Sequence, residues 1–339
     1  MSHSASESIA PISNEGEPAS WVRRLIGNQQ FMLFIVFVAI FLFFTFNDSV
    51  FASASEIGNN ITDFSTLVLL AVGETFVIAT GGIDLSVGGA SGFAGVVGAI
   101  VMEHLSAHGE WLVLGVGTFV CLGVGVGIGL INAALMHYAK LVPFVATLVT
   151  MGAAEGMSLV LTGGAPIGSN FGAITLTEPR LGVFSYPDIL IIVITIVAGL
   201  YLHFSKFGRY TFAIGSNAFA VRAVGVNVRR HLTWVYVLSG ALAGLTGMFI
   251  YMRLGSGAPS AGVGTELVAI AAVVIGGARL TGGSAQLSGT ILGALILTIV
   301  SSGLIIMNVS PNFNQVAVAI LIALAAAFQA LRKGSRTDL

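Results

Sequence analysis

Long apolar segments separated by short polar ones make up most of the 339-residue chain. A helix of about 20 apolar residues crosses the hydrocarbon core of a bilayer, and lipid offers no hydrogen-bond partner to the backbone of an open strand. The pattern therefore predicts an all-α integral membrane protein with about ten transmembrane helices. They are expected near residues 30–47, 58–80, 85–103, 111–138, 143–162, 187–204, 231–252, 264–278, 285–307 and 313–331.

The composition agrees with a membrane protein and excludes several other classes. Hydrophobic residues make up 55% of the chain and charged residues only 9%, whereas soluble domains carry about 25% charged residues. With a net charge of −1, no overall basic surface points to nucleic acid. The single cysteine, Cys121, excludes an internal disulfide and a cysteine-based zinc site, and no HExxH motif supports another metal site.

The basic residues predict how the helices are oriented, because short cytoplasmic loops are enriched in Lys and Arg. With Arg23 and Arg24 in the cytoplasm, ten crossings place both termini inside, and twelve of the 14 Lys and Arg residues then lie on the cytoplasmic side. Arg180 and Arg253 are the two that lie outside. The segment 264–278 is too short to cross alone unless its helix is broken.

The polar ends are expected to be tails. Residues 1–29 lack the apolar core and the cleavage site of a secretory signal, so they are predicted to form a disordered cytoplasmic tail. Residues 332–339 are predicted to form a second cytoplasmic tail. The transmembrane domain then covers residues 30–331.

A shift of 195 residues aligns two glycine-rich segments without a gap. GGIDLSVGGASGFAGVVGAIV at 81–101 falls on GGARLTGGSAQLSGTILGALI at 276–296. Each copy is predicted to be a helix, a glycine-rich break and a second helix, and such interrupted pairs in two halves of a membrane protein indicate a transport path. The alternative is chance alignment of glycine-rich composition. The hinge glycines are predicted to be Gly81, Gly82, Gly276 and Gly277.

Asp84 follows the first hinge and lies between two apolar spans. A carboxylate that faces lipid costs about 2.5–3.5 kcal/mol on insertion scales, so Asp84 is expected to face protein or water. After Gly82 the next helix begins with free N–H groups, which the Asp84 carboxylate or the Ser86 hydroxyl can cap. The pattern favours this capping role over that of a substrate or proton ligand.

Three further residues are candidates for a polar path or a helix cap. Glu74 and Thr80 lie on the predicted helix that precedes the hinge, where they either border a cavity or are satisfied inside the bundle. Glu266 follows Gly264 and Thr265 and is expected in the first turn of a helix, where its charge is favourable.

Glycines four residues apart recur in the spans and predict close contacts between helices. Glu155 lies between two of them and is expected to be buried and paired. The glycine pairs are Gly88/Gly92, Gly123/Gly127, Gly125/Gly129, Gly152/Gly156, Gly240/Gly244 and Gly289/Gly293.

The sequence lacks the motifs of an enzyme. A P-loop requires Gly-Lys-Ser/Thr, but Lys140, Lys206 and Lys333 follow Ala, Ser and Arg, and neither GxSxG nor GxGxxG occurs. The chain is therefore predicted to be no enzyme, to hold no cofactor and to bind no ATP itself.

The most distinctive polar segment is the loop of residues 205–230, on the predicted cytoplasmic side. Ser216 or Asn217 can cap a short helix, AFAVRAV, that ends near Gly225. A capped helix in a cytoplasmic loop indicates a docking element. The alternative is a basic anchor that has no protein partner.

Four motifs stand out: GETFVIATGGIDLSVG (73–88), PFVATLVTM (143–151), FGRYTFAIGSNAFAVRAVGVNV (207–228) and ELVAIAAVVIGGARLTGG (266–283). With them, the chain resembles the permease subunits of the ribose-type ABC sugar importers over about residues 30–331. The resemblance implies an inner-membrane permease that moves a monosaccharide-like solute by alternating access, driven by ATP hydrolysis in a partner. The implied partners are a cytoplasmic ABC ATPase, a periplasmic or extracellular solute-binding protein, and a second permease copy or a sister chain, besides membrane lipid.

The resemblance also assigns coupling to the ATPase to the 205–230 loop, through Gly215, Asn217, Arg222 and Gly225. The chain departs from the family's pattern at several positions, which leaves the identity of the solute open. Val268 stands where Asp is usual, Glu74 where Met or Gln is common, Glu155 where Arg is common, and Ala218-Phe219 replace a more polar pair.

Three other functions are weighed against this one. A self-sufficient ion-coupled secondary transporter would use Asp84, Glu74 and Glu155 as coupling sites. A branched-chain amino acid ABC permease has a related architecture, but GGIDLSVG and the sugar-type coupling loop argue against it. A membrane-embedded enzyme would need a catalytic constellation, which the sequence lacks.

Overall fold

The computed structural model describes residues 28–168 and 176–310, together with residues 313, 316, 319, 320 and 323. Within this part of the chain there are ten α-helices, a 3₁₀ helix at Ser49–Ala52 and a two-stranded antiparallel pairing of β1 (Ile167–Gly168) with β2 (Ser256–Gly257). The helices are α1 (Gln29–Asn47), α2 (Ala54–Ala79), α3 (Ser86–His104), α4 (Glu110–His137), α5 (Pro143–Thr162), α6 (Tyr186–Phe204), α7 (Lys206–Ala223), α8 (Val228–Leu254), α9 (Thr265–Ile275) and α10 (Leu287–Ile306).

The predicted all-α membrane fold is confirmed. Nine of the ten predicted spans coincide with helices, and eight helices, all except α7 and α9, are long and apolar enough to cross a membrane. The tenth predicted span, 313–331, lies mostly outside the described residues. So do the predicted tail 332–339 and all but the last two residues of the predicted tail 1–29.

Helix α9 is the short element that the sequence predicted. Its 11 residues rise about 16 Å, roughly half of the hydrocarbon core of a bilayer. It begins after Gly264, whose φ of 83° is left-handed, and it ends at a glycine-rich segment, 276–286, which leads into α10. Helix α9 is therefore too short to cross a bilayer by itself.

Helix α8 forms the centre of the bundle and packs against α4, α3 and α2. Small residues permit the closest approach, because a Cβ atom at Gly125 or Gly129 of α4 would overlap the backbone of α8, and one at Gly240 or Gly244 would overlap the backbone of α4. The predicted contacts at these two pairs are confirmed. Gly88/Gly92 and Gly289/Gly293 also face neighbouring backbone.

Two of the predicted glycine contacts are wrong. A Cβ atom at Gly123, Gly127, Gly152 or Gly156 would meet no atom of the described residues within 4 Å. Gly123 and Gly125 lie on nearly opposite faces of α4, because each residue turns a helix by about 100°. Only one of the two faces can contact α8, and spacing alone does not say which one.

The two predicted helix pairs end their first helix with the same glycine turn. In α2, the N–H of Gly81 (φ 82°) donates to the carbonyl of Ile78 and the N–H of Gly82 to that of Val77. This is the pattern of a Schellman motif, in which a left-handed residue satisfies the last carbonyls of a helix. The next helix, α3, begins at Ser86.

Helix α9 repeats this turn with Gly277 (φ 95°), whose N–H donates to the carbonyl of Val274, followed by a bond from Ala278 to Val273. The equivalent residues are therefore Gly81 and Gly277, one residue away from the gapless alignment. The second break is also longer. The helix–break–helix pairs are present, but the 195-residue register does not hold through them.

Candidate functional site

Asp84 lies at the first break with its side chain fully buried. Its Oδ1 atom accepts hydrogen bonds from the backbone N–H of Ser86, at 3.0 Å, and from the Ser86 hydroxyl, at 2.5 Å. Its Oδ2 atom accepts from the hydroxyl of Ser239 on α8, at 2.9 Å. Asp84 thus faces protein, caps the first N–H of α3, and ties the break to the central helix.

Ser86 extends this network to two more helices. The side-chain amide of Asn132 on α4 donates to Ser86 Oγ at 2.8 Å, and the hydroxyl of Thr150 on α5 donates to Asn132 Oδ1 at 2.5 Å. All of these side chains are buried. Because buried polar groups are costly when unpaired, the complete chain of bonds fixes the position of α3 against α4, α5 and α8.

Glu74, two turns before the break, is also fully buried, but it lacks such a network. The backbone N–H of Asp84 faces its carboxyl group without completing a hydrogen bond of good geometry, and neither carboxyl oxygen has a partner among the described residues. The hydroxyl of Tyr236 on α8, beside Gly82, is likewise buried without a partner. The Glu74 carboxyl group and the Tyr236 hydroxyl, both close to the first break, therefore lack hydrogen-bond partners among the described residues.

Glu266 lies in the first turn of α9, as the sequence predicted, and is 6% exposed. Its carboxyl group packs against Gly88 at the start of α3, where a Cβ atom would overlap it. Glu155 on α5 is only partly buried and forms no ion pair within the described ranges, so its predicted burial in a pair is wrong. Thr80 ends α2, and its hydroxyl donates to the carbonyl of Val77 at 2.7 Å.

The four predicted hinge glycines differ in what they do. Only Gly81 and Gly277 adopt a left-handed φ. Gly276 has ordinary helical angles and allows close packing, because a Cβ atom there would overlap the backbone of Gly289 in α10. Gly82 makes room for the hydroxyl of Tyr236.

Helix α7 contains the capped helix that the sequence predicted. At Asn217 the backbone leaves the helical region (φ −161°, ψ 91°), and the Asn217 side chain accepts a hydrogen bond from the N–H of Ala220 at 3.0 Å. Asn217, and not Ser216, is therefore the cap. The helix stops at Gly225, whose φ is 87° and whose N–H donates to the carbonyl of Arg222.

The first part of α7 lies directly on the two breaks. The N–H of Gly283 in the second break donates to the carbonyl of Ala79 at the end of α2, at 3.0 Å. Gly215 sits against this bond, because a Cβ atom at Gly215 would overlap both the Ala79 oxygen and the Gly283 nitrogen. Three segments far apart in the sequence therefore meet at one backbone contact.

The second part of α7 turns outward from the bundle. Val221 packs with Ile214 and Val228 in a small apolar cluster of its own. Phe219 is 79% exposed and Val224 78% exposed. Arg222 is exposed as well. The second part of α7, which is not one of the helices that can cross a membrane, thus exposes the ring of Phe219 and the basic side chain of Arg222.

A cavity of about 520 Å³ opens at the opposite end of the bundle, between α2, α8, α9 and α10. By position along their helices, its lining residues form two levels. The outer level contains the polar side chains of Asp63, Thr66, Arg253, Thr265, Thr298 and Ser301. Apolar side chains lie among them, from Leu67, Leu254, Ile305 and Ala261. The inner level, nearer to the breaks, is apolar and consists of Leu70, Ile250, Val268 and Leu297.

These features stack along the axis of the bundle. The cavity ends on the apolar level, where Leu70 and Leu297 are almost fully buried. Glu74 lies one helical turn beyond Leu70, at the level where the hydroxyls of Thr75 and Thr290 bond each other at 2.9 Å. The breaks and α7 follow. The apolar level thus closes the cavity from the buried polar groups behind it.

The sequence located some of these residues and missed others. It selected Asp84, Glu74 and Glu266 as candidates for a polar path or a helix cap, and the structure brings these three around the first half of α3. It missed Ser239, Asn132 and Thr150, since a lone hydroxyl or amide in an apolar span carries no sequence signal of its partner. Among the described residues, no group of three or more His, Cys, Asp or Glu side chains can hold a metal ion.

The chain is similar to known membrane transport permeases. Residues 56–326 match the family of permease components of branched-chain amino acid transport systems. The chain is 36% identical to the ribose import permease protein RbsC of Escherichia coli (strain K12) over 81% of its own length and 85% of that protein's. It is 35% identical to RbsC of Haemophilus influenzae over 93% and 96% of the two chains.

A third relative is the galactose/methyl galactoside import permease protein MglC of Escherichia coli (strain K12), 30% identical over 88% of this chain and 94% of that protein. No solved structure matches the chain. The family match covers most of the helices described above, including both glycine breaks and α7. The chain therefore belongs to the family of permease components of branched-chain amino acid transport systems, as a multi-pass membrane permease whose relatives include ribose and galactose import permeases.

Proposed function

We propose that this permease carries a neutral, monosaccharide-like solute into the cell by alternating access, driven by ATP hydrolysis in a partner ATPase. Its relatives are import permeases for ribose and galactose. The outer level of its cavity agrees with such a solute, because one acidic and one basic side chain balance each other among hydroxyl groups. A charged solute would find no net countercharge there.

One observation carries the proposal. Gly215 of α7 lies against the hydrogen bond that joins the two glycine breaks. A protein that pushes or pulls on the exposed part of α7 would therefore move the ends of α2 and α9 together. This is the arrangement that a permease powered from outside itself requires.

The motion follows from the same contacts. Closure of the ATPase would press on the Arg222 and Phe219 surface, shift Gly215, and tilt α2 and α9 at Gly81 and Gly277. Tilting these helices would separate the apolar level and open the cavity toward the breaks. The Asp84 network would keep α3 fixed as the frame against which the gate moves.

In the proposed orientation the cavity opens toward the outside of the cell, and α7 and both termini lie on the cytoplasmic side. The uneven distribution of Lys and Arg supports this orientation. In it, a periplasmic or extracellular binding protein would deliver the solute to the cavity, and α7 would face the ATPase. A second permease copy or a sister chain would complete the channel. The chain itself would make and break no bonds and would hold no cofactor.

Reconstitution into vesicles tests the proposal. The permease with its ATPase, ATP and a solute-loaded binding protein is expected to accumulate radiolabelled D-ribose or D-galactose, and the permease alone is expected not to. Omission of ATP and an ATPase variant that cannot hydrolyse ATP serve as controls. Accumulation by the permease alone, under a proton or sodium gradient, would overturn the proposal.

That same result would establish the second candidate, an ion-coupled secondary transporter. The observation in its favour is Glu74, a fully buried carboxyl group without a hydrogen-bond partner among the described residues. Intramembrane carboxyl groups of this kind often serve as proton sites. The contact between α7 and both breaks favours the ATP-driven mechanism, because a secondary transporter needs no docking helix.

A further inference from the structure

We propose that the outer level of the cavity is a solute-binding site in the permease itself, in which Asp63 and Arg253 hydrogen-bond neighbouring hydroxyl groups of one neutral sugar. The inference rests on the proposed function, since it specifies how the imported solute is recognised. The permease would then have a binding site for the solute in addition to its gate. The residues that form it come from four helices or their ends.

The cavity has the size and shape that such a site needs. Its volume of about 520 Å³ lies within the range of about 300–1,000 Å³ in which small molecules are usually bound. Its outer level combines six polar side chains with apolar ones, and its inner level is apolar. A solute that enters therefore stops at the apolar level while the gate is closed.

Asp63 and Arg253 are placed to act as the polar anchor. The Arg253 guanidinium donates to the Asp63 carboxylate across the cavity mouth, between α8 and α2. Their side chains are 43% and 37% exposed, so the pair contributes little to the stability of the fold. Solvent-accessible donors and acceptors of this kind are free to exchange partners with a solute.

The chemistry of the pair fits vicinal hydroxyl groups. A guanidinium offers only donors in a planar fork and a carboxylate offers only acceptors, whereas each sugar hydroxyl is both a donor and an acceptor. Two adjacent hydroxyls can therefore bridge the pair without leaving either charge unpaired. Thr66, Thr298 and Ser301 add hydroxyl groups beside it.

The apolar level supplies the other half of the recognition. Leu70, Val268 and Leu297 face the inner end of the cavity. A pyranose or furanose ring has a C–H face that packs on apolar side chains. Its hydroxyl groups then point back toward the polar side chains of the outer level. A sugar oriented in this way satisfies both levels at once.

The main competing ligand is an apolar amino acid, whose ammonium and carboxylate groups would separate the pair and whose side chain would contact the apolar level. The direct bond between Arg253 and Asp63 favours the sugar. A zwitterion would have to break this ion pair, whereas hydroxyl groups can share it. The three hydroxyl side chains beside the pair also suit a polyol better than an amino acid.

Cysteine protection tests the site without the ATPase. Cys121 is fully buried, so the native chain gives little background with a membrane-impermeant thiol reagent. Ser301→Cys places a thiol in the cavity, and Val50→Cys, at a residue that is 56% exposed and outside the lining, is the control. The full-length permease in nanodiscs is labelled with and without D-ribose, D-galactose or L-leucine.

We expect D-ribose or D-galactose at tens of millimolar to slow labelling of Ser301→Cys about threefold or more and to leave Val50→Cys unchanged. Adding Asp63→Asn or Arg253→Gln should remove the protection, and Thr66→Val should weaken it by a smaller factor. Size-exclusion profiles and melting temperatures identify any variant that fails to fold, and Thr66→Val then carries the test.

Two results would overturn the inference. If neither sugar slows labelling of Ser301→Cys, the cavity is not a binding site for these sugars. If L-leucine protects it instead, the site recognises a zwitterion. Because labelling requires no ATP, these outcomes are separate from a failure of ATP-driven uptake, which would refute the proposed function.

Discussion

Substituting Gly215 with Ala tests the contact between α7 and the two breaks. The new methyl group would overlap the Ala79 oxygen and the Gly283 nitrogen, which are both backbone atoms. Unlike the end of a flexible side chain, these atoms cannot turn away. The hydrogen bond between the two breaks, 3.0 Å long in the native chain, would have to lengthen or break.

The size of the effect follows from three contributions. Overpacking costs about 1–3 kcal/mol, and loss of the hydrogen bond costs about 1 kcal/mol. Replacing glycine by alanine in a helix returns about 1 kcal/mol. The net change of about 1–3 kcal/mol falls on the contact that couples α7 to the breaks, so coupling should fall by roughly 5- to 150-fold.

The assay is solute-stimulated ATP hydrolysis, together with uptake, in proteoliposomes that contain the permease, its ATPase and a loaded binding protein. Gly152→Ala is the unstrained control, because a Cβ atom there meets nothing within 4 Å in the part of the chain that the structure describes. Gly208→Ala is the strained control, because it lies in the same helix and would overlap the Leu202 carbonyl, away from the breaks. Normal coupling in Gly215→Ala, or equal uncoupling in Gly208→Ala, would refute the reasoning.

Substitutions at three further positions test the site and the docking helix. Asp84→Asn should keep uptake within a few-fold of the native protein, because an amide oxygen can still cap Ser86. Asp84→Ala removes the acceptor of three bonds and should cost about 3 kcal/mol or more in stability. Near-total loss of uptake by Asp84→Asn at normal membrane levels would instead indicate that Asp84 is a ligand. Glu74→Gln should raise the melting temperature slightly and preserve uptake, because it replaces an ionisable group that is buried without a partner among the described residues. Loss of uptake by a well-folded variant would place the carboxyl group in the transport path. Arg222→Ala should abolish stimulated ATP hydrolysis and leave the permease in the membrane, with Arg230→Ala as the control, and unchanged stimulation would argue against docking through α7.

The family match and the relatives address different properties of the chain. The family is described by branched-chain amino acid transport, while relatives that align over most of the chain are import permeases for ribose and galactose. The family match covers both breaks and α7 and does not by itself select one kind of solute. The cavity lining is where the two kinds should differ, and there the protection experiment with sugars and L-leucine discriminates between them.

The sequence by itself determined the elements of this protein. Apolar length sets where a helix can cross lipid, so nine spans were predicted close to their observed bounds. Local backbone chemistry placed the cap at Asn217 or its neighbour, the stop at Gly225 and the capping of α3 by Asp84. In each of these cases the partner lies within a few residues, so the pattern contains both halves of the interaction.

Only the tertiary structure decided which distant residues meet. Ser239 bonds Asp84 across 155 positions, Gly215 touches both breaks, and the cavity takes its lining from four helices or their ends. Glycine spacing likewise predicted contacts on both faces of α4, although only one face meets α8. These outcomes depend on how each helix is rotated and which helix lies beside it, and that is set by the packing of the whole bundle rather than by any local pattern.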